Sequence, residues 1–447
     1  MSITISFTME PKMSLTGVKA WEAQQTADFV RALAKELGYH CDVISGYVIY
    51  QLCPEGFLWM SWKGKQLAGD CQTNIAGPGF HAAVIYFLEL FAARGNLKLM
   101  VKDQTGYYAD RDFERMRREH FYPWFKRLLN AVVGRQLGAD GGLVCWPSDY
   151  YLPVKQPGIV MTHIRGFGSL ELKGIVQSGL TNAFAKDFFI WNNEEKDAWY
   201  FRNCGLVLLN QQCYFKPSSR SQEDLMVNRE VIRLLEKTLE MDRSVPFPVE
   251  EYREVCELDG HEPVDLTGVT AMTLEQPVGC RRGLLNRTIG CMRFAVPGSF
   301  LYDVRTQGNA ERYYDAEADN WHEYYICAVQ TEEAAQIKQE PYERDSVLRC
   351  QEFRTGEVMG KLAVYKPAQR VIPDRPAVTK AVLVGDGLSI DRGVEAAEAR
   401  AGKEETVYTI AAQIAYKNQL TIVSISSGRA VDEEWAIGLI RQVEAAE

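Results

Sequence analysis

The sequence predicts an α+β protein of several domains, in which antiparallel sheets are each packed by helices. Three observations lead there. The chain has 447 residues, more than one ordinary core holds, so about two to four domains are expected. Residues 76–96 are apolar on nearly every face, with Ala82, Val84, Ile85, Phe87, Leu88, Leu90, Phe91 and Ala92 interrupted only by Glu89; a helix of that kind must be enclosed by other elements. Finally, β-prone runs joined by turn residues recur along the chain, each group followed by an amphipathic helix.

Composition narrows the class. Apolar content of 46% and charged content of 24% are ordinary for a globular protein. The start lacks a basic segment followed by an apolar run, so no secretory signal is expected. The eleven cysteines are scattered and never spaced C-x-x-C, and the six histidines form no H-x-x-x-H. Reduced thiols, a cytoplasmic location and no structural zinc follow as expectations. The enclosed helix is far short of the ~20 residues that cross a bilayer. The net charge is −9, and residues 301–447 hold 25 acidic against 17 basic side chains. An acidic final third disfavours nucleic acid, whose phosphates require clustered cations.

In chain order, residues 16–37 carry Trp21, Phe29, Val30, Leu33 and Leu37 at helical spacing, with Gly38 as a stop. Runs 47–52 and 57–62 read as a hairpin closed by Cys53-Pro54-Glu55-Gly56. The enclosed helix follows, opened by Gly77-Pro78-Gly79 and closed by a left-handed cap at Gly95-Asn96. A strand at 97–101 and a long helix at 110–133, striped by Phe113, Met116, Trp124 and Leu128, complete a first domain, 1–137. Glycines and prolines over 138–157 suggest a linker into a second domain, 138–275. There, 197–201, 205–209 and 213–215 read as strands, and 226–239 as an amphipathic helix stopped by Pro246 and Pro248. The third domain, 276–447, is expected to hold strands at 291–297, 324–329 and 360–365 and a hairpin of 406–416 with 419–426. Asp432-Glu433-Glu434 then opens a closing helix with Trp435, Leu439, Ile440 and Val443 turned inward.

Two family resemblances accompany this reading. The element order of 16–135, with the YVIYQL and FLWMSW strands before a helix, resembles the type III secretion chaperones and the YbjN-like proteins. Residues 288–446 resemble the PsbP-like fold, through Phe294-Ala-Val-Pro297 and the terminal QLTIVSISSGRAVDEEWAIGLIRQV. Both imply protein-binding modules, and neither brings catalytic residues.

The candidate chemistry is sparse. Val382-Leu-Val-Gly-Asp386-Gly387 resembles the nucleophile block of SGNH hydrolases, but glycine stands where the serine belongs and Ser389 comes two residues late, which favours a glycine turn. Gly77-Pro78-Gly79-Phe80-His81 could offer backbone N–H groups to an anion, although one glycine pair equally relaxes the entry to a buried helix. His120 falls on an apolar stripe, the usual place of a core histidine. Asp315, Glu317 and Asp319 alternate before His322 as hard-cation ligands might be spaced, without the glycine or closing acid of an EF-hand. The basic face of 110–133 is diluted by acids at 112, 114 and 119.

The mixture of aromatics and charges over 191–202 is the composition enriched at protein interfaces. Trp191, Asp197, Trp199, Tyr200 and Arg202 are therefore the expected contact residues. The expectation is a non-enzymatic cytoplasmic protein that binds another protein, as a chaperone, adaptor or immunity-type factor, with no cofactor, metal, nucleic acid or membrane. The alternatives are an enzyme with a composite active site, or a structural subunit.

Overall fold

The structure, a computed structural model, describes residues 2–12, 23–44, 46–63, 66–134, 141–146, 151–303, 310–315, 321–330, 346–372, 381–384, 387–390, 403–429 and 432–446. It is an α+β fold built on antiparallel sheets. The first sheet has six strands: β1 (Thr4–Pro11), β2 (His40–Ile44), β3 (Tyr47–Cys53), β4 (Gly56–Lys63), β5 (Gln66–Gln72) and β6 (Leu97–Asp103). They lie in the order β2-β3-β4-β5-β1-β6. Side chains alternate strictly: Ile5, Phe7 and Met9, Val48, Tyr50 and Leu52, and Leu58 and Met60 face inward and are buried. Helices α1 (Ala23–Leu37) and α2 (Pro78–Arg94) cover that face. Phe29 of α1 meets Phe91 of α2 edge-on at 5.2 Å, and Tyr50 meets Phe87 at 4.6 Å. Trp21 of the expected first helix lies outside the described residues. The left-handed residue that ends α2 is Asn96 (φ 50°), since Gly95 is still right-handed.

A short turn, α3 (Tyr107–Asp110), precedes the long helix expected over 110–133, which runs from Phe113 to Gly134 as α4 (Phe113–Met116) and α5 (Tyr122–Gly134). Arg111 is left-handed (φ 59°) and ends the short turn. A π-turn, Arg117–Phe121, joins α4 to α5; Pro123 follows, and its missing N–H removes one regular helical bond there.

Short strands β7 (Gly142–Val144), β8 (Leu152–Pro153), β9 (Ile159–Thr162) and β10 (Gly166–Gly168) lead into helices α6 (Ser169–Ser178), α7 (Thr181–Phe188), α8 (Ala198–Gln211), α9 (Gln222–Met241) and α10 (Val249–Asp259). The strands expected at 197–201 and 205–209 are thus one helix, α8. Asp197 caps it by accepting the Tyr200 N–H at 2.9 Å, and every residue from Tyr200 to Asn210 is buried. An aromatic, β-prone run is helical here because it is enclosed on all sides, and tertiary packing outweighs propensity. Cys213 to Phe215 is irregular instead of extended.

The second large sheet follows. Strands β11 (Leu284–Ile289) and β12 (Met292–Pro297) pair with each other; β8 and the terminal β23 (Glu444–Ala445) flank them. An eight-stranded antiparallel sheet is built from β13 (Leu301–Asp303), β14 (Ala310–Asp315), β15 (His322–Gln330), β16 (Val347–Thr355), β17 (Val358–Tyr365), β18 (Ala368–Ile372), β21 (Lys403–Tyr416) and β22 (Gln419–Ser427). Strands β19 (Ala381–Val384) and β20 (Gly387–Ile390) form a separate hairpin. Helix α11 (Glu433–Ile440) closes the sheet with Leu439, Ile440 and Val443 buried, whereas Trp435, expected inside, is 38% exposed.

One cluster of buried side chains runs from Ile3 to Val278, and a second from Ile289 to Val443. The boundary expected at 137/138 falls inside the first cluster; the one expected at 275/276 falls close to the gap between the two.

Candidate functional site

The five residues expected at an interface are brought together, but toward the interior. Trp191, Tyr200 and Arg202 are buried, and Asp197 and Trp199 are half-buried. The reason lies in how residues 189–193 run across the start of α2. The Trp191 N–H donates to the Ala76 carbonyl at 2.8 Å, and the Gly79 N–H donates to the Trp191 carbonyl at 2.9 Å. Gly77 (φ 110°) faces Phe189 and the Trp191 carbonyl, and a Cβ on Gly79 would lie 2.0 Å from the Trp191 ring. The glycines thus admit a second backbone, not an anion, and the segment they admit seals the helix N-terminus.

Arg202 is fully buried within α8. Its Nη2 donates to Asp187 Oδ1 at 3.0 Å and to Asn203 Oδ1 at 2.7 Å. Burial draws its pKa down to about 10, against the pull of the Asp187 carboxylate. Its guanidinium lies 4.3 Å from the Trp199 ring, whose neighbourhood also holds the Lys186 ammonium at 4.1 Å. Arg202 is therefore satisfied inside the protein, and although Glu194 and Glu195 are exposed, the string presents no continuous aromatic surface.

His81, one turn into α2, anchors a hydroxyl–imidazole–carboxylate array. Its Nδ1 lies 2.9 Å from Thr73 Oγ1 and its Nε2 lies 3.1 Å from Asp103 Oδ1. Asp103 also accepts the N–H groups of Thr105 and Tyr108, both at 2.8 Å. Burial holds the imidazole below its usual range despite the carboxylate beside it. Burial would raise the Asp103 carboxyl, but His81 and the two N–H groups outweigh it and hold the acid ionised. A neutral His81 donating to Asp103 and accepting from Thr73 satisfies every group. His81 and Thr73 are each 0% exposed, so no substrate reaches the array; it pins β5, α2 and β6 together.

The other candidates disperse. Asp315 is buried and paired with Lys216 Nζ at 3.5 Å and Arg220 Nη1 at 3.3 Å, while His322 Nε2 meets Asp432 at 2.8 Å. Glu317, Asp319 and Asp386 lie outside the described residues, and Ser389 lies on β20. Among the described residues no three His, Cys, Asp or Glu side chains gather as a metal would require. His120 is half-buried in the π-turn. Several cations at the start of this stretch are paired close by: Arg111 with Glu89, Arg115 with Asp110, Arg117 with Glu114.

A further surface lies on the first sheet. The outer face of the first sheet carries Ile44, Tyr47 and Trp59, which are 56%, 53% and 49% exposed. Ile44 is paired across β2–β3 with Tyr47, and Ile49 across β3–β4 with Trp59. Alternation puts half-buried Ile49 and Phe57 on the same face, so five apolar side chains are neighbours on three adjacent strands. Polar residues border them: Asp42 opposite Ile49, Asp70 opposite Trp59, and Ser6 beyond Asp70. The β19–β20 hairpin approaches β2 and β3 and still leaves Ile44 and Tyr47 more than half exposed. The signal was present in the sequence, because YVIYQL and FLWMSW are apolar at both odd and even positions. Such strands need cover on two faces, and the fold supplies it on one.

No protein-family model matches the chain, and no curated protein matches it. No described helix is long and apolar enough to cross a membrane.

Proposed function

We propose that the chain works by binding another protein, and that the contact surface is the outer face of β2, β3 and β4 centred on Tyr47 and Trp59. The observation that carries this reading is the contiguous apolar group Ile44, Tyr47, Ile49, Phe57 and Trp59 on a sheet face that no described helix covers. Single exposed apolar residues are commonplace, whereas contiguous groups with polar rims are the mark of interaction sites. Two of the five are the aromatics enriched at contact centres. The partner is expected to offer an apolar strip, and the location to be a reducing one, in keeping with eleven thiols.

A photo-reactive amino acid at position 47, in the full chain in its native host, tests this. A cross-linked adduct with one partner, lost when Trp59→Ser is added, is the expected result. If cross-linking yields no adduct, or one indifferent to Trp59→Ser, the surface is wrongly assigned. If the adduct contains only a second copy of this chain, the protein is a structural subunit instead.

A further inference from the structure

Strand β6 lies at one edge of the first sheet, beyond β1. Alternation puts Lys98, Met100 and Lys102 on its outer face, all exposed, while Leu99 and Val101 are half-buried on the side that α2 covers. Backbone bonds around the strand fix which way its N–H and C=O groups point. The Lys12 N–H donates to the Asn96 carbonyl at 3.2 Å, and this pair continues the register in which Glu10 faces Lys98, Thr8 faces Met100 and Ser6 faces Lys102. The Thr73 N–H donates to the Ile3 carbonyl at 2.9 Å, so the odd-numbered residues of β1 bond to β5 and the even-numbered ones to β6. Bonded pairs alternate along an antiparallel ladder. Lys98, Met100 and Lys102 therefore bond to β1, and the N–H and C=O groups of Leu99 and Val101 point away from the sheet. Among the described residues nothing bonds to them.

A bare edge invites another strand, and lysines on an edge decide which strand may come. Pairing β6 with its counterpart in a second copy, centred on Met100, would set each Lys98 opposite a Lys102, like charge on like charge. Neither lysine has an ion pair among the described residues, since Glu10, across from Lys98, accepts from Gln66 instead. Two same-face repeats separate the lysines, about 13 Å, which is also the span between side chains i and i+4 of an incoming extended chain. A strand with carboxylates at those two positions and an apolar residue between them would meet Lys98, Lys102 and Met100 together. The trio is symmetrical about Met100, so such a strand fits in either direction.

We propose that β6 is a docking edge for an extended acidic segment of another protein, taken up as a seventh strand with the pattern acidic-x-apolar-x-acidic. Backbone bonds to Leu99 and Val101 supply affinity, and the lysines supply choice of partner. Strands β5 and β1 lie between this edge and Trp59, so the site is independent of the β2–β4 face and neither reading falls with the other.

The test is fluorescence anisotropy of the full chain with labelled peptides. STETVTETS carries the pattern, and STKTVTKTS reverses its charges. A third peptide repeats the first with N-methyl groups on the two threonines that flank valine, which removes the N–H groups aimed at β6. The unaltered chain is expected to bind the first peptide saturably, about tenfold more tightly than the second, and to leave the third unbound. Lys98→Glu with Lys102→Glu should reverse the preference between the first two, with unchanged far-ultraviolet circular dichroism certifying the fold. Lys98→Gln with Lys102→Gln, expected to erase the preference, replaces that variant if it does not fold. No saturable binding of STETVTETS, equal binding of STKTVTKTS, a preference indifferent to the lysine substitutions, or undiminished binding of the N-methylated peptide would each overturn the proposal.

Discussion

Replacing Gly79 with alanine should destabilise the protein, although helix propensity argues the other way. The added Cβ would lie 2.0 Å from Trp191 Cδ1, 2.1 Å from the Asn193 carbonyl and 2.4 Å from Trp191 Nε1. Tyr200, 4.8 Å from the ring, limits its retreat. The 191–193 backbone must therefore lift from α2, weakening the 2.8 and 2.9 Å bonds that join it to Ala76 and Gly79. Overpacking of this kind costs about 1–3 kcal/mol, and two backbone hydrogen bonds add about 0.5–1.5 kcal/mol each. Alanine returns up to about 1 kcal/mol of helix propensity. The net expectation from these terms is a loss of about 1–5 kcal/mol. Gly174 in α6 is the control: a Cβ there meets nothing within 4 Å, so Gly174→Ala should gain about 0.5–1 kcal/mol. Urea unfolding followed by tryptophan fluorescence and by far-ultraviolet circular dichroism reads both. If Gly79→Ala equals or exceeds the parent in stability, the first 134 residues and the helices after them do not share one core at this junction.

Arg202→Met should cost about 3–5 kcal/mol, because it leaves the Asp187 and Asn203 side chains without their buried cation. Adding Asp187→Asn should recover about 1 kcal/mol or more, and the same unfolding assay refutes the ion-pair account if the double variant is no better than the single. Glu55, in the β3–β4 turn, has its pKa raised to about 7 by burial, against a hydrogen bond from Gln211. A raised carboxyl binds its proton more tightly in the folded chain, so this group's contribution falls as pH climbs from about 4.5 toward 7. Glu55→Gln should therefore be about 1–3 kcal/mol more stable than the parent at pH 8 and no more stable at pH 4; a pH-independent difference would contradict it.

Much of the sheet and the enclosed helix could be read from local pattern. The hairpin of β3 and β4, the helices α2 and α9 and the β21–β22 hairpin all announce themselves by period, turn residues and caps, such as Ser221 accepting the Asp224 N–H at 3.0 Å. Strands β1, β2 and β5 went unread, as did helices α6, α7 and α10. Gln66–Gln72 holds Gln, Gly and Asp and no β-branched residue, and its pairing with β1 comes from about sixty residues away. Residues 197–209 were misread for the opposite reason. Their aromatic and aliphatic content is strong in β propensity, but a run apolar on all sides carries no period to tell strand from helix. The candidate interface failed on the same stretch, because a charged residue in a sequence does not state whether its partner is water or Asp187.

The same rule governs the charge imbalance of the final third. Its acids are not simply an electrostatic field turned outward. Asp315 lies against Lys216 and Arg220, Glu311 receives Arg287 at 2.7 Å, and Arg220 also reaches the Ser299 carbonyl at 2.8 Å. Arg281, buried between Tyr151 and Tyr214, donates to the carbonyls of Gln211 and Gly298 and so touches both sides of the gap between the two cores. Lys216 and Arg220 from the helical region thus neutralise Asp315 of β14, and Arg287 of β11 neutralises Glu311 of β14. A charged partner would have to compete with ion pairs already made within the chain. The outer face of the first sheet faces no such competition, since five apolar neighbours lose nothing but water when they are covered. That asymmetry favours Tyr47 and Trp59, and not the charged strings, as the contact surface.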